Sequence, residues 1–273
     1  LLTTDVAIGR KTEKNALNAF AEIHPKWKFL GYLTFLVPAL IMTYYSVIGG
    51  WITKYFTVYI VSDGKELAGD GFFSSFISSP VSPIVFMLIF LALTAFVVFC
   101  GVEKGIEKWS KYIMPGLLIL IVAITIFSLT LSVTDENGET RTGLQGLALY
   151  LIPDFSDMTV GRFLGIVLDA MSQLFFSLSV SMGIMITYGS YVKDDVNLVK
   201  ANSRIELFDT GVAILAGAMI IPAVFVFLGK DGMLSGPSLT FISLPKVFDA
   251  MGGAGRIVGA AFSLALGFAA LTS

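Results

Sequence analysis

Asp209 stands in the run RIELFDTGVAILAG, about one helical turn beyond Arg204 and Glu206 and into apolar sequence. A carboxylate at membrane depth costs several kcal/mol unless a cation or hydrogen-bond donors meet it. It is therefore either a helix-end acid that still reaches interfacial water, or a hard oxygen ligand for a cation. A second group lies in QLFFSLSVSMGIM, where Ser177, Ser179, Ser181 and Gly183 fall close together. Ser competes for backbone hydrogen bonds, and Gly weakens a helix by about 1 kcal/mol relative to Ala. That composition fits a helix broken at half-depth, and equally a small-residue face packed on a neighbour. A third set closes the chain at Ala269, Thr272 and Ser273. Positions i, i+3 and i+4 share one helical face, so a carbonyl and two hydroxyls can converge there. Neutral oxygens suit sodium better than a divalent ion, although each hydroxyl can also bond back to its own helix. Ile41 and Tyr45 share a face of another apolar segment, and a deep tyrosine needs a partner for its hydroxyl.

The elements that must hold these groups are apolar helices. Of the 273 residues, 55% are hydrophobic and only 14% charged, against about 25% charged in soluble domains. Mean hydropathy is +0.82. A spanning helix needs about 20 apolar residues to cross roughly 30 Å of hydrocarbon. Six segments qualify, at 27–56, 83–101, 112–133, 163–191, 205–228 and 257–273, and are read as one transmembrane domain. None alternates polar and apolar residues as a strand would, and open sheet edges do not sit in lipid. The stretch 163–191 is too long and too polar for a plain span. Residues 238–253 form an amphipathic extracellular element, either an ordinary surface helix or a hairpin over an outer vestibule. The opening LLTTDVAIG reads as the last turns of a preceding helix, and the stop within FAALTS as a second cut, so the sequence reads as a fragment.

Loop charge sets the expected topology. Connections at 10–28, 102–111 and 192–206 carry 11 of the 18 Lys and Arg, whereas 57–81 and 132–160 are mainly acidic. The positive-inside rule puts the basic loops in the cytoplasm. The net charge of -2 gives no hint of a nucleic-acid partner. His24 lies in a basic loop, where solvation is the default, and the lone Cys100 lies in an apolar run suited to packing. No Ser-His-Asp set, metal-ligand cluster or phosphate loop stands out, so an enzyme is not expected.

At this point the chain resembles the neurotransmitter:sodium symporter family, with its LeuT-type fold. VAIGRKT with NAF is similar to the end of that family's second helix, TYYSVIGGW to the third and GVEKGIEKWSKYIMP to the loop entering the fifth. IPDFSD and QLFFSLSVSMGIMITYGSYV resemble the broken sixth helix, DTGVAILAG the seventh and FAALTS the eighth. The fold implied is an all-α polytopic membrane protein, part of a LeuT-like inverted-repeat bundle with a broken mid-membrane helix. The function implied is sodium-coupled symport of an amino acid by alternating access, in the plasma membrane.

The resemblance also implies roles. Tyr45 matches the tyrosine that bonds the substrate carboxylate, and Phe176 the aromatic lid. Ile41, Ser179 and Met182 match pocket-lining positions, with Ser273 beside the substrate. Ser177 is shared between substrate and a first sodium site, and Ala269, Thr272 and Ser273 match a second. Gln173, Ser177 and Asp209 match the chloride site, where the Asp209 carboxylate would replace chloride and balance sodium. Gly105 and Pro115 match a Gly-x9-Pro pattern for unwinding the fifth helix, and Tyr188 an inner-gate residue. One departure is Ser181-Met182-Gly183, where the family often has Gly-Phe-Gly or Gly-Met-Gly. Flexible Met implies a roomy pocket for hydrophobic or aromatic amino acids, while Ser181 in place of glycine could shrink it. Both sodium sites are incomplete, because the family's first helix supplies part of each. Three alternatives stay open: a related carrier of a non-amino-acid solute, a truncated fragment that transports nothing, and a channel or scaffold. Polar positions clustered at one depth argue against a channel's continuous polar stripe.

Overall fold

In the computed structural model, residues 1–100, 106–134, 138–156, 158–230 and 238–272 are described. The helices in chain order are α1 (Leu2–Thr12), α2 (Ala16–Ile23), α3 (Lys28–Val61), α4 (Phe72–Ser78), α5 (Ser82–Cys100) and α6 (Ile106–Thr130). They continue as α7 (Gly143–Leu151), α8 (Val160–Ser177), α9 (Ile184–Gly189), α10 (Leu198–Leu228), α11 (Ser238–Ala250) and α12 (Gly255–Thr272). Six helical stretches, at 25–61, 82–99, 111–130, 160–177, 198–228 and 252–272, are long and apolar enough to cross a membrane. The chain is thus an all-α multi-pass membrane protein. Two short strands, β1 (Ser132–Thr134) and β2 (Thr140–Thr142), add a small antiparallel hairpin in the acidic loop.

Where helices differ from the expected spans, the physical reason is that hydropathy sees only the part of a helix meant for hydrocarbon. Thus α10 begins at Leu198, seven residues before the apolar stretch at 205, and α3 runs on to Val61. The segment 163–191 divides into α8 and α9. Side-chain caps fix several starts: Asn15 accepts from Asn18 N, and Thr159 from Arg162 N. Thr142 and Gln145 close a capping box at α7, each satisfying an otherwise orphaned amide.

The chain divides into two compact units, residues 1–44 with 154–213, and residues 45–153 with 214–273. In the first unit, α1 packs closely on α9. A Cβ on Gly9 would overlap the Ile186 carbonyl oxygen, and one on Gly189 would overlap that of Val6. Two glycines facing opposite backbones permit this approach. A small core joins Ala16, Ala19 and Ile186.

The second unit has a larger core built on aromatics. Trp51 and Phe73 meet edge-on at 5.0 Å, Tyr55 and Phe241 at 5.2 Å, and Phe73 stacks on Phe241 at 5.8 Å. Offset and edge contacts of this kind add to the gain from burial. The Tyr55 hydroxyl donates to the Phe241 carbonyl at 2.8 Å. Helix α11 supplies Phe241, Leu244, Val247 and Phe248, all buried. One face of α11 is thus core, while Asp249 and Ala250 at its end are exposed. Lys246, on the same helix, donates to Asp70 at 2.6 Å. That bond and the ammonium charge hold the Asp70 carboxyl below its usual range.

Candidate functional site

The chemistry-bearing residues of the first unit surround the gap between α8 and α9. Helix α8 carries no buried residue and ends at Ser177. Ser179 and Ser181 then take positive φ, 52° and 63°, followed by Gly183 at 76°. Non-glycine residues in that region cost about 1–3 kcal/mol each and persist where surrounding contacts impose them. Gly183 cannot easily be replaced, because an added Cβ would press on Ala16 Cβ as well as occupy a left-handed backbone. Ending one helix at Ser177 and restarting at Ile184 leaves backbone carbonyls and amides without helical partners. Such groups can ligate an ion or bond a zwitterion.

Two carboxylates hold this break. The Ser177 hydroxyl donates to Asp209 Oδ1 at 2.5 Å. Asp209 thus has a hydroxyl donor from the end of α8. Gln173, one turn before Ser177 on α8, shares its helical face. The second carboxylate is Asp5, whose Oδ2 accepts the Ser181 amide at 2.7 Å. The sequence reading passed over Asp5 within LLTTDVAIG. The signal was available, since an acid in an apolar run demands a donor for the same reason Asp209 does.

The remaining first-unit positions are Ile41 and Met182, half-buried, and Phe176, exposed by 40%. Tyr188 lies on α9 and is 54% exposed. Ser179 contributes the first of the strained backbone conformations.

The second unit carries the other set. The Tyr45 hydroxyl donates to the Ala270 carbonyl at 3.2 Å, so α12 backbone satisfies the polar end of this tyrosine. Thr272 Oγ1 donates to the carbonyls of Phe268 and Ala269, at 3.1 and 3.0 Å. This is the back-bonding that the sequence allowed. It turns the proton toward the helix and leaves the hydroxyl lone pairs for a cation. Ser273 and Gly105 lie outside the described residues. Pro115 sits inside α6, which is continuous from Ile106 to Thr130. Among the described residues no group of three His, Cys, Asp or Glu could hold a metal ion.

Residues 74–273 match the family model described as the Sodium:neurotransmitter symporter family. The chain belongs to that family. Along its full length it is 36% identical to the uncharacterized sodium-dependent transporter YhdH of Bacillus subtilis, covering 58% of that protein. It is 32% identical to an uncharacterized sodium-dependent transporter of Haemophilus influenzae, covering 60% of it. Among solved structures, that of MhsT in complex with L-phenylalanine superposes with a TM-score of 0.87 at 38% identity, over all of this chain and 59% of MhsT. The chain thus spans about three fifths of the length of these relatives. The LeuT-type fold of the family accounts for the interrupted α8–α9 element, and its glycines also serve packing, Gly183 against Ala16 and Gly189 against Val6.

Proposed function

We propose that this symporter-family member carries a hydrophobic or aromatic amino acid with sodium, by alternating access, in the plasma membrane with its basic loops in the cytoplasm. It is a carrier and not an enzyme. The observation that carries the reading is the break between Ser177 and Ile184, with Ser177 bonded to Asp209. Broken helices present backbone carbonyls and half-helix ends to ions and substrate.

In this reading Ser177 gives its proton to Asp209 and turns its lone pairs to sodium. The Asp209 charge then stabilises the bound cation, so chloride is not required. Gln173 and Ser177 flank that carboxylate. A second sodium takes the Ala269 carbonyl with the Thr272 and Ser273 hydroxyls. Tyr45 holds the substrate carboxylate, which requires its proton to leave the Ala270 carbonyl. By the resemblance, Phe176, Ile41, Ser179 and Met182 contact the substrate's side chain, and Ser273 is a further substrate contact. The MhsT complex with L-phenylalanine supports an apolar substrate. Tyr188 gates the inner side, and unwinding between Gly105 and Pro115 hydrates the inner sodium site.

The test is uptake of radiolabelled L-phenylalanine and L-leucine by the intact protein in proteoliposomes. A sodium gradient should drive accumulation that collapses when choline replaces sodium. Accumulation that continues undiminished in choline removes the proposal.

A further inference from the structure

A second cleft lies wholly within the second unit, between the end of α3 and the start of α12. Its volume is about 320 Å³, within the usual range of small-molecule sites, about 300–1,000 Å³. The charged residues lining it are Asp63, Lys65, Asp249 and Arg256, two of each sign. Lys65 and Asp63 pair loosely at 3.6 Å, with both side chains well exposed. Asp249 has neither a hydrogen bond nor an ion pair among the described residues.

Arg256 is fixed in place. Its Nε donates to the Tyr59 carbonyl at 3.0 Å and its Nη2 to the Ile60 carbonyl at 2.8 Å. These bonds satisfy orphan carbonyls at the end of α3, where a cation also meets the negative end of the helix. A guanidinium has five N–H donors, so it keeps others for an occupant. The N-terminus of the 18-residue α12 adds favourable potential for an anionic group on the same side. Tyr59, only 3% exposed, lines the cleft as well. Pro245 and Phe248 give the cleft an apolar wall.

We infer that this cleft binds a zwitterionic amino acid at a second site, distinct from the helix break. The carboxylate meets Arg256 and Lys65, the ammonium meets Asp249 and Asp63, and the side chain lies on Pro245 and Phe248. Balanced charge selects the zwitterion: an anion alone leaves the two aspartates facing it, and a cation alone leaves Lys65 and Arg256 facing it. The inference rests on residues of this cleft and does not depend on the roles given to Tyr45 or Asp209.

A thiol placed in the cleft tests it. A Cβ at Gly253 meets nothing within 4 Å, so Gly253→Cys is tolerated, and Cys100→Ser, with any cysteine outside this sequence likewise replaced, removes competing thiols. The probe is maleimide labelling of the intact protein in nanodiscs, titrated with L-leucine. Labelling should slow about tenfold once roughly nine-tenths of the sites are filled. Isocaproate, which lacks the amine, and isopentylamine, which lacks the carboxylate, should protect weakly or not at all. Asp249→Asn and Lys65→Gln, both changes at solvent-exposed positions, should abolish protection while sodium-driven uptake persists at low flux. Labelling indifferent to leucine overturns the proposal. So does leucine protection that survives in Asp249→Asn, because the effect then arises elsewhere. Equal protection by isocaproate makes the cleft an anion site and also overturns it.

Discussion

The two units hold their functional residues in different ways. Around the second unit's core, Trp51, Tyr55, Phe73, Phe241 and Phe248 interlock, and α12 presents Ala269 and Thr272 from a regular helix. In the first unit, α8 has no buried residue and its last residue, Ser177, bonds Asp209, while the strained backbone after it is held by turn hydrogen bonds back to α8 and by the Ser181 amide bonding Asp5. The second unit positions its residues chiefly by packing, whereas at the break the first adds polar contacts to the close packing of α1 on α9. Packing resists change in proportion to the area lost, whereas a break held by two carboxylates can rearrange when a charge arrives. A carrier needs both: a stiff frame and an element whose equilibrium an ion can shift.

Substitutions can break or sharpen that contrast. The largest effect belongs to the packed side. Phe248→Ala removes a ring in contact with Phe262 and Tyr59 and should cost about 3–5 kcal/mol. Thermal unfolding of the purified protein should show a drop of many degrees; a change within error would mean that α11 is peripheral after all. The strained side should behave in the reverse sense. Ser179→Gly relieves a φ of 52° and should be neutral, or stabilise by about 1 kcal/mol, although it removes a side chain. A loss as large as that for Phe248→Ala would place Ser179 among the packed residues.

The smallest effect is electrostatic. Because the native Asp70 carboxyl lies below its ordinary pKa of 3.8, its bond to Lys246 contributes above that value and fades as pH falls below it. Asp70 is 90% exposed, so the contribution should stay under about 1 kcal/mol. Comparing Lys246→Met with the parent at pH 6 and pH 3 checks this. The difference between them should shrink at pH 3, and a difference that grew would give the linkage the wrong sign.

Much of this was legible in the sequence, for identifiable reasons. Six apolar runs announce helices because lipid demands internal hydrogen bonding. Ser177, Ser179, Ser181 and Gly183 left a break and a small-residue packing face equally open, since such residues serve both, and the resemblance alone pointed to the break. The bond from Ser177 to Asp209 joins residues 32 apart, and only the resemblance put them together. Asp5 went unread because its partner is a backbone amide at Ser181, 176 residues away. The burial of α11 was equally hidden. Phe241, Leu244 and Phe248 form one face at i, i+3 and i+7, but periodicity does not say whether that face meets lipid, water or protein. The hairpin at 132–142 lay in a polar loop, and its strands of three residues are too short for alternation to register.

The central claim is that Asp209 supplies, through Ser177, the fixed negative charge that lets the broken helix hold sodium. It is tested most directly by uptake of L-leucine into proteoliposomes for the parent and for Asp209→Asn, with sodium present throughout and chloride either present or replaced by gluconate. The parent should transport equally in both. The variant should lose at least about tenfold in gluconate, the equivalent of 1.4 kcal/mol, and recover in part with chloride. A parent that stops when chloride is withdrawn, or a variant that transports as well as the parent in gluconate, would contradict the account.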